Sequence, residues 1–512
     1  MRTCNSGAAV PDASLSLPSP SPVLPSLGPR LAAFLAALAV AVFFIGMSWR
    51  AVYVHLSSDE MMNIYWYWEP GARRVILANV LFWRKIMRPM GGVYYLPLFH
   101  FFGFNPWPYT VVRLALLLVD SLLLLRVAAR LTGSLPAATL AVLVVAYHPD
   151  LASLTHNGSF IYDVLCAAFY FSALLFYMHC RDSGRRLTVR QSCAFLALYI
   201  CALDSKEMAV SLPVIICAYE VLDAFRGAAH IAERRKRFLM HVWPAAGAVI
   251  ITVIYVAFKT YGADGVAQIA AYHPVFTWKR FCESNQRFLN AIFYTTFFRT
   301  WSVLAVWSLI LYLALRNRDR RLLLLLVWVV VAPLPLAFIP PHGSGCIYIV
   351  LAGWGMIAAM ACEALARRIA REPALAGLPG RPVVTCLLAA ALLFYVDRTA
   401  ALHDRAVRGF FRNGEKTWNQ IEQARTFPLR PPHGSRIALL NDPFPEGWDE
   451  LFIIKLCWND RSLRVFLQNQ QHLSASDLDR MDFVFDFPAG RLTRINVPEE
   501  GRAAQLPGSA RD

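Results

Sequence analysis

The stretch Leu31–Trp49, LAAFLAALAVAVFFIGMSW, followed shortly by Ser57-Ser58-Asp59-Glu60, decides how this chain is read. The first part is about as long as a bilayer-spanning helix, roughly 20 residues. No small-residue cleavage site follows it, and Ser48-Trp49-Arg50 reads as an interfacial anchor, so the segment is a transmembrane helix and not a leader peptide. Two adjacent carboxylates are costly in hydrocarbon, which places Asp59 and Glu60 where water meets the first loop. Position alone is equally satisfied by a solvated loop start.

Composition agrees with the membrane reading. Of the 512 residues, 57 % are hydrophobic and only 16 % charged, whereas soluble domains are about 45–50 % apolar. The formal charge of +16 does not point to nucleic acid, because the arginines fall in short runs between apolar segments, as in cytoplasmic loops. The 11 cysteines are scattered, without CxxC or metal-ligand spacing, and read as small buried side chains.

Residues 1–30, rich in Pro, Ser and Ala, are expected to form a disordered cytoplasmic tail. After the first span, residues 50–107 interleave charge with aromatics and suit amphipathic helices in the membrane interface, forming a first extracytoplasmic loop. Further spans are expected near 109–128, 135–148, 160–179, 191–203, 208–222, 241–258, 293–315, 322–339, 346–366 and 383–400, giving eleven in all. The basic clusters Arg181/Arg185/Arg186, Arg234–Arg237, Arg316–Arg321 and Arg367–Arg371 fall on alternate connections, which makes that side cytoplasmic. The predicted fold is therefore an all-α polytopic membrane domain over 31–400. Residues 401–512 form an extracytoplasmic region with a small α/β module: strands at Arg436–Leu440, Leu463–Leu467 and Phe483–Phe485, and a helix at Trp448–Cys457.

Candidate reactive groups gather on the face opposite the basic loops: Asp59, Glu60, His148, His156, Lys206, Glu207 and His342. Ionisable residues converging on one membrane face imply a water-accessible cavity. Each has a plain structural reading as well. His148 ends a helix before Pro149, His342 sits in a proline loop, and Lys206 and Glu207 suit an ion pair between two spans. Asn157-Gly158-Ser159 matches a glycosylation sequon by chance, being too near the membrane surface. No phosphate-binding glycine loop or D-x-D pair serves a nucleotide on the basic side. A sugar donor that reaches the other face without a nucleotide is a polyprenyl-phosphate sugar. Its transfer needs a general base for the acceptor hydroxyl and a cation for the departing phosphate.

The residues then carry a resemblance. Asp59-Glu60 follows the first span, and Arg88-Pro89-Met90 precedes Tyr95-Leu96 and Gly103-Phe104-Asn105-Pro106. Further on come Ser205-Lys206-Glu207 with Pro213, and Ile347-Tyr348 with Gly353. In this order they resemble the GT-C class of polytopic glycosyltransferases, close to the protein O-mannosyltransferase, aminoarabinose transferase and tetratricopeptide-linked O-mannosyltransferase families. The resemblance covers about residues 31–400. It implies Asp59 as base, Glu60 orienting a neighbour or the acceptor, and Arg88, Lys206 and Lys85 as donor-phosphate ligands. Glu207, His148, His156, His342 and Tyr348 would line the cavity. Cys346 departs from the pattern, since the related segment carries a basic residue there.

The expected activity is inverting sugar transfer from a polyprenyl-phosphate donor to a protein, lipid or glycan hydroxyl at the outer face of a plasma (inner) membrane. No cofactor is required; a divalent metal at the acid pair is compatible with the scheme. A transporter or flippase of lipid-linked sugars, or an inactive scaffold of glycan assembly, are the rival readings.

Overall fold

The computed structural model describes residues 28–81, 88–225, 230–260, 272–340, 344–372, 379–444 and 447–495. The expected N-terminal tail lies almost wholly outside them. The helices run α1 (Pro29–Ser48), α2 (Ser58–Trp68), α3 (Ala72–Val80), α4 (Met90–Phe102), α5 (Pro106–Thr132), α6 (Leu135–Tyr147), α7 (Ala152–His156), α8 (Ile161–Asp182), α9 (Val189–Ser205) and α10 (Leu212–Ala224). They continue as α11 (Ile231–His241), α12 (Trp243–Tyr255), α13 (Trp278–Ile292), α14 (Thr300–Arg316), α15 (Arg320–Val331), α16 (Leu334–Ala337), α17 (Tyr348–Ile369), α18 (Gly380–Thr426) and α19 (Asp449–Cys457).

Five of the described helical segments are long and apolar enough to cross a membrane, and two bent pairs raise the number to seven. The protein is a multi-pass membrane protein, with fewer full-length spans by that measure than the eleven expected. Part of the difference lies in broken and short helices. Leu135–Tyr147 and Pro149–His156 meet at 61°, and Ile231–His241 meets the α12 segment at 58°. The last expected span does not stop at residue 400: α18 runs 47 residues, from Gly380 to Thr426, so a boundary at 400/401 falls inside a helix.

The polar and apolar ends of the bundle are distinct. α8 carries Asp163 in its first turn and Arg181 in its last, α9 follows Arg186 and ends just before Lys206, and α17 follows Cys346 and carries Arg367 near its end. Every one of these has its arginines at one end and its cavity residues at the other. The arginine end is tied together by Arg130 to Asp182 (2.7 Å), Arg321 to the Thr132 carbonyl (3.0 Å) and Arg320 to the Phe225 carbonyl (2.8 Å).

After α18 comes a four-stranded sheet, β1 (Arg436–Leu440), β2 (Arg464–Leu467), β3 (Phe483–Asp486) and β4 (Thr493–Ile495), in the order β2-β1-β3-β4. The first three strands are parallel and β4 is antiparallel to β3. The three expected strands and the helix over 449–457 are present. The module is not a pendant: its α19 packs on α2, with the Phe452 and Tyr65 rings 5.0 Å apart, and one apolar core continues from the helices into the sheet.

Candidate active site

The N-terminus of α2 is fixed by a capping box. Glu60 Oε2 accepts from the Ser57 amide (2.9 Å) and Ser57 Oγ accepts from the Glu60 amide (3.3 Å). This pairing satisfies two of the amides that a helix start leaves without partners. Ser57 Oγ also donates to Asn157 Oδ1 (3.0 Å), and Glu60 lies 3.8 Å from the buried Arg113 guanidinium. Gly158 presses directly on this carboxylate; a β-carbon there would collide with Glu60 and Arg113.

Adjacent residues on a helix point about 100° apart, so Asp59 and Glu60 cannot share a cavity wall. Asp59 faces outward with Met62 and Asn63, one turn on, into a cavity of about 420 Å³. Glu60 does not line it. Glu60 holds α2 against the 157–158 turn and Arg113. Among the described residues Asp59 has no hydrogen-bond or ion-pair partner. It is open to the cavity, yet protein encloses it on most sides, and this burial raises its pKa above the ordinary aspartate value.

Across the same cavity stand Arg88, Lys206, Glu207, Asp163 and Cys346. Arg88 adopts a left-handed backbone, φ 49°, uncommon away from glycine. Its carbonyl accepts from the Tyr67 hydroxyl (2.8 Å), which also meets the Tyr162 hydroxyl (3.0 Å). The Arg88 guanidinium lies 5.3 Å over the Tyr162 ring and grips Glu207 with two bonds, Nε to Oε1 at 3.2 Å and Nη2 to Oε2 at 3.0 Å. Lys206 Nζ lies 2.7 and 2.6 Å from the two oxygens of Asp163 and 3.2 Å from Cys346 Sγ. Lys206 and Glu207, adjacent in sequence, therefore do not pair with each other. The extended backbone at Lys206, φ −162° and ψ 150°, sends the two side chains to opposite partners.

Burial works against the charge of Arg88, Glu207 and Lys206, and the partner of each overcomes it. Arg88 holds the Glu207 carboxyl below the usual glutamate range, and Asp163 holds Lys206 above the usual lysine range. With Asp59 included, the wall carries three carboxylates and two cations. Part of the remaining lining is an apolar wall formed by Val256, Phe276, Leu336, Phe338 and Ile339.

Asp449, in the first turn of α19, brings a further carboxylate toward Asp59. Burial first, and then the Asp59 and Asp442 charges, push its pKa up to about 6. Lys455 of the same helix reaches the Tyr65 hydroxyl (3.2 Å) and Glu69 (3.5 Å) on α2.

Several expected cavity residues lie elsewhere. His148 is buried between the Ile292 carbonyl (3.2 Å) and the Tyr294 hydroxyl (2.7 Å). His156 is buried against Thr155 Oγ1 (2.7 Å). Tyr348 packs edge-on to Phe171 at 6.1 Å. The bend after α6 turns the 149–156 segment into the bundle, which takes both histidines away from the cavity. Lys85 and His342 fall outside the described residues. Asp163 was not among the expected site residues. Its signal is a carboxylate in the first turn of an otherwise apolar helix, the kind of intramembrane charge that marks a site.

No protein-family model matches the chain, and no curated protein matches it. Several solved structures are similar to it in part, two of which follow. One is the Archaeoglobus fulgidus oligosaccharyltransferase tethered with an acceptor peptide containing the NVT sequon through a disulfide. It shows 12 % identity, a TM-score of 0.48, and coverage of 85 % of this chain and 63 % of that one. The other is ArnT from Cupriavidus metallidurans bound to undecaprenyl phosphate, with 13 % identity, a TM-score of 0.43, and coverage of 85 % of both chains. The chain thus spans less than two thirds of the archaeal protein's length.

Proposed function

We propose that the protein is an inverting, GT-C-type glycosyltransferase that moves a sugar from a polyprenyl-phosphate donor to an acceptor hydroxyl at the extracytoplasmic face of the membrane. The observation that carries this reading is the placement of Asp59, a carboxylate without a partner among the described residues, in one cavity with Arg88 and Lys206 beside an apolar wall. In this scheme Asp59 takes the proton of the acceptor hydroxyl as it attacks the anomeric carbon from the face opposite the phosphate. Arg88 and Lys206 receive the charge that develops on the leaving phosphate oxygen. Isoprenoid carbons lie along Phe276, Phe338 and Ile339. A phosphate leaves without an acid's help, so one carboxylate suffices where a glycosidase needs two.

The donor phosphate must compete with Glu207 and Asp163 for the two cations. The acceptor approaches from the side of α19, where Asp449 and Lys416 border the module.

A second reading, a catalytically inactive scaffold of glycan assembly, is favoured by one observation. A thiol, Cys346, stands beside Lys206 where the motif has a cation, and both remaining cations are already paired. Purified wild type and Asp59→Asn, offered a panel of radiolabelled polyprenyl-phosphate sugars with peptide, lipid and glycan acceptors, separate the two. Transfer by wild type that falls in the variant supports the enzyme. Donor binding without transfer by either protein supports the scaffold or a lipid-sugar transporter.

A further inference from the structure

A second built surface lies at the arginine end of the bundle, away from the candidate active site. α11, IAERRKRFLMH, presents Ile231, Arg235 and Leu239 in one row and Lys236 with Met240 in the next, so spacing of four puts them all on one face. That face borders an open groove of about 720 Å³, whose other wall is Arg186 from the turn between α8 and α9. Arg186 is fixed there, its Nε donating to the Met240 carbonyl at 2.9 Å. Arg235, Lys236 and Arg186 are exposed, and so are Ile231 (80 % exposed) and Leu239 (53 %). Arg234 points elsewhere, its guanidinium 4.7 Å over the Phe225 ring.

The setting says what covers this face. α11 bends 58° away from the α12 segment. A spanning α12 therefore leaves α11 tilted toward the plane of the bilayer surface. α9, whose far end leads to Lys206 in the cavity, has 17 residues and is roughly 25 Å long at 1.5 Å per residue. The groove thus sits close to a hydrocarbon thickness, about 30 Å, from the cavity. Two cations in the middle of a helix face and a third on the facing wall, flanked along the helix by isoleucine and leucine, match a ligand with an anionic head and apolar chains. Free phosphate has no use for the apolar flanks, and a nucleic acid would not approach a face lying at bilayer depth.

We propose that this groove binds the phosphodiester headgroup of an anionic phospholipid. Arg235, Lys236 and Arg186 contact the phosphate, and the acyl chains descend past Ile231 and Leu239. The lipid holds α11 on the membrane surface and so sets the angle at which α12 delivers Tyr255 and Val256 to the cavity at its other end.

Native mass spectrometry of the delipidated full chain in detergent tests this. The chain is titrated with phosphatidylglycerol or phosphatidylcholine of matched acyl chains, and with inorganic phosphate in a third arm. Wild type should take up its first phosphatidylglycerol at least about tenfold more tightly than phosphatidylcholine, with no displacement by inorganic phosphate. Arg235→Ala with Lys236→Ala should abolish most of that preference, Arg235→Lys should keep it, and Arg316→Ala with Arg318→Ala in another basic turn should leave it intact. Equal uptake of the two lipids by wild type would overturn the proposal. So would unchanged binding by the α11 variant, an equal loss in the control variant, or displacement by phosphate. All substitutions are at the protein surface, and equal thermal midpoints confirm equal folding.

Discussion

Lys206 Nζ sits 2.6 Å from Asp163 Oδ2 and 3.2 Å from Cys346 Sγ, so the ammonium bridges the start of α8 and the start of α17 from a connection outside both. The pair is buried, with side-chain exposures of 7 % and 4 %. Removing one member leaves an uncompensated buried charge, which costs about 3–5 kcal/mol, whereas removing both leaves an apolar pair of similar volume. Asp163→Leu alone should therefore lower the thermal midpoint sharply, and Asp163→Leu with Lys206→Met should recover most of it. If Lys206 also receives the donor phosphate, sugar transfer stays lost in the recovered double variant. Transfer that returns together with stability would assign Lys206 to structure only.

The two acids of α2 should separate by phenotype. Asp59→Asn removes a carboxylate without a partner among the described residues, so the thermal midpoint should stay near wild type while transfer falls about 10²-fold or more, the size of a lost general base. Glu60→Gln weakens the capping box and leaves the buried Arg113 without its anion. It should cost about 1–3 kcal/mol in stability with a much smaller effect on transfer per folded molecule. Thermal unfolding and single-turnover transfer on both variants give the answer, and a reversal of the two phenotypes would sink the assignment of the base.

The acid pair across the module boundary makes two pH predictions. The raised Asp59 pKa places the acid limb of transfer above the ordinary aspartate range: as pH falls through that pKa the base is protonated and the rate drops. Asp449 rises from 3.8 to about 6 on folding. The folded state then holds more protons than the unfolded one between those values, so the Asp449 contribution to stability is present below about 3.8 and is lost as pH rises through about 6. Thermal midpoints of wild type should fall across that window more than those of Asp449→Asn; parallel curves for the two proteins would contradict the assignment.

Cys346 lines the cavity beside Lys206. An anionic methanethiosulfonate should block transfer in wild type and spare Cys346→Ser, and bound donor should protect the thiol. Unprotected labelling at full donor occupancy would place the phosphate away from Lys206.

Much of this arrangement was legible because the physics behind it is local. The apolar run Leu31–Trp49 and the alternation of basic turns expose the two ends of the bundle. Asp59, Arg88, Lys206 and Glu207 meet in one cavity because their connections share an end. The strands of the module follow from short apolar runs. Partner choice was not legible, since Lys206 and Glu207 are sent apart by one extended residue that no propensity marks. The inward turn of His148 and His156 depends on a 61° bend, and Pro149 marks its place but not its direction. The polar continuation of α18 past residue 400 looks like the end of a span, yet a helix leaving the bilayer no longer needs apolar residues.

α18 has 47 residues without a break and is roughly 70 Å long at 1.5 Å per residue. The module is joined to the bundle by a rod, with no flexible tether between the membrane and Thr426. Its angular position is therefore set by helical phase together with the packing of α19 on α2. Each residue inserted near the middle of the rod turns everything beyond it by about 100°, and a change of a single residue is more disruptive than one of seven, which closes nearly two turns. Insertion scanning along α18 should show transfer rising and falling with that period, as the tip of the rod swings Asp449 away from Asp59 and back.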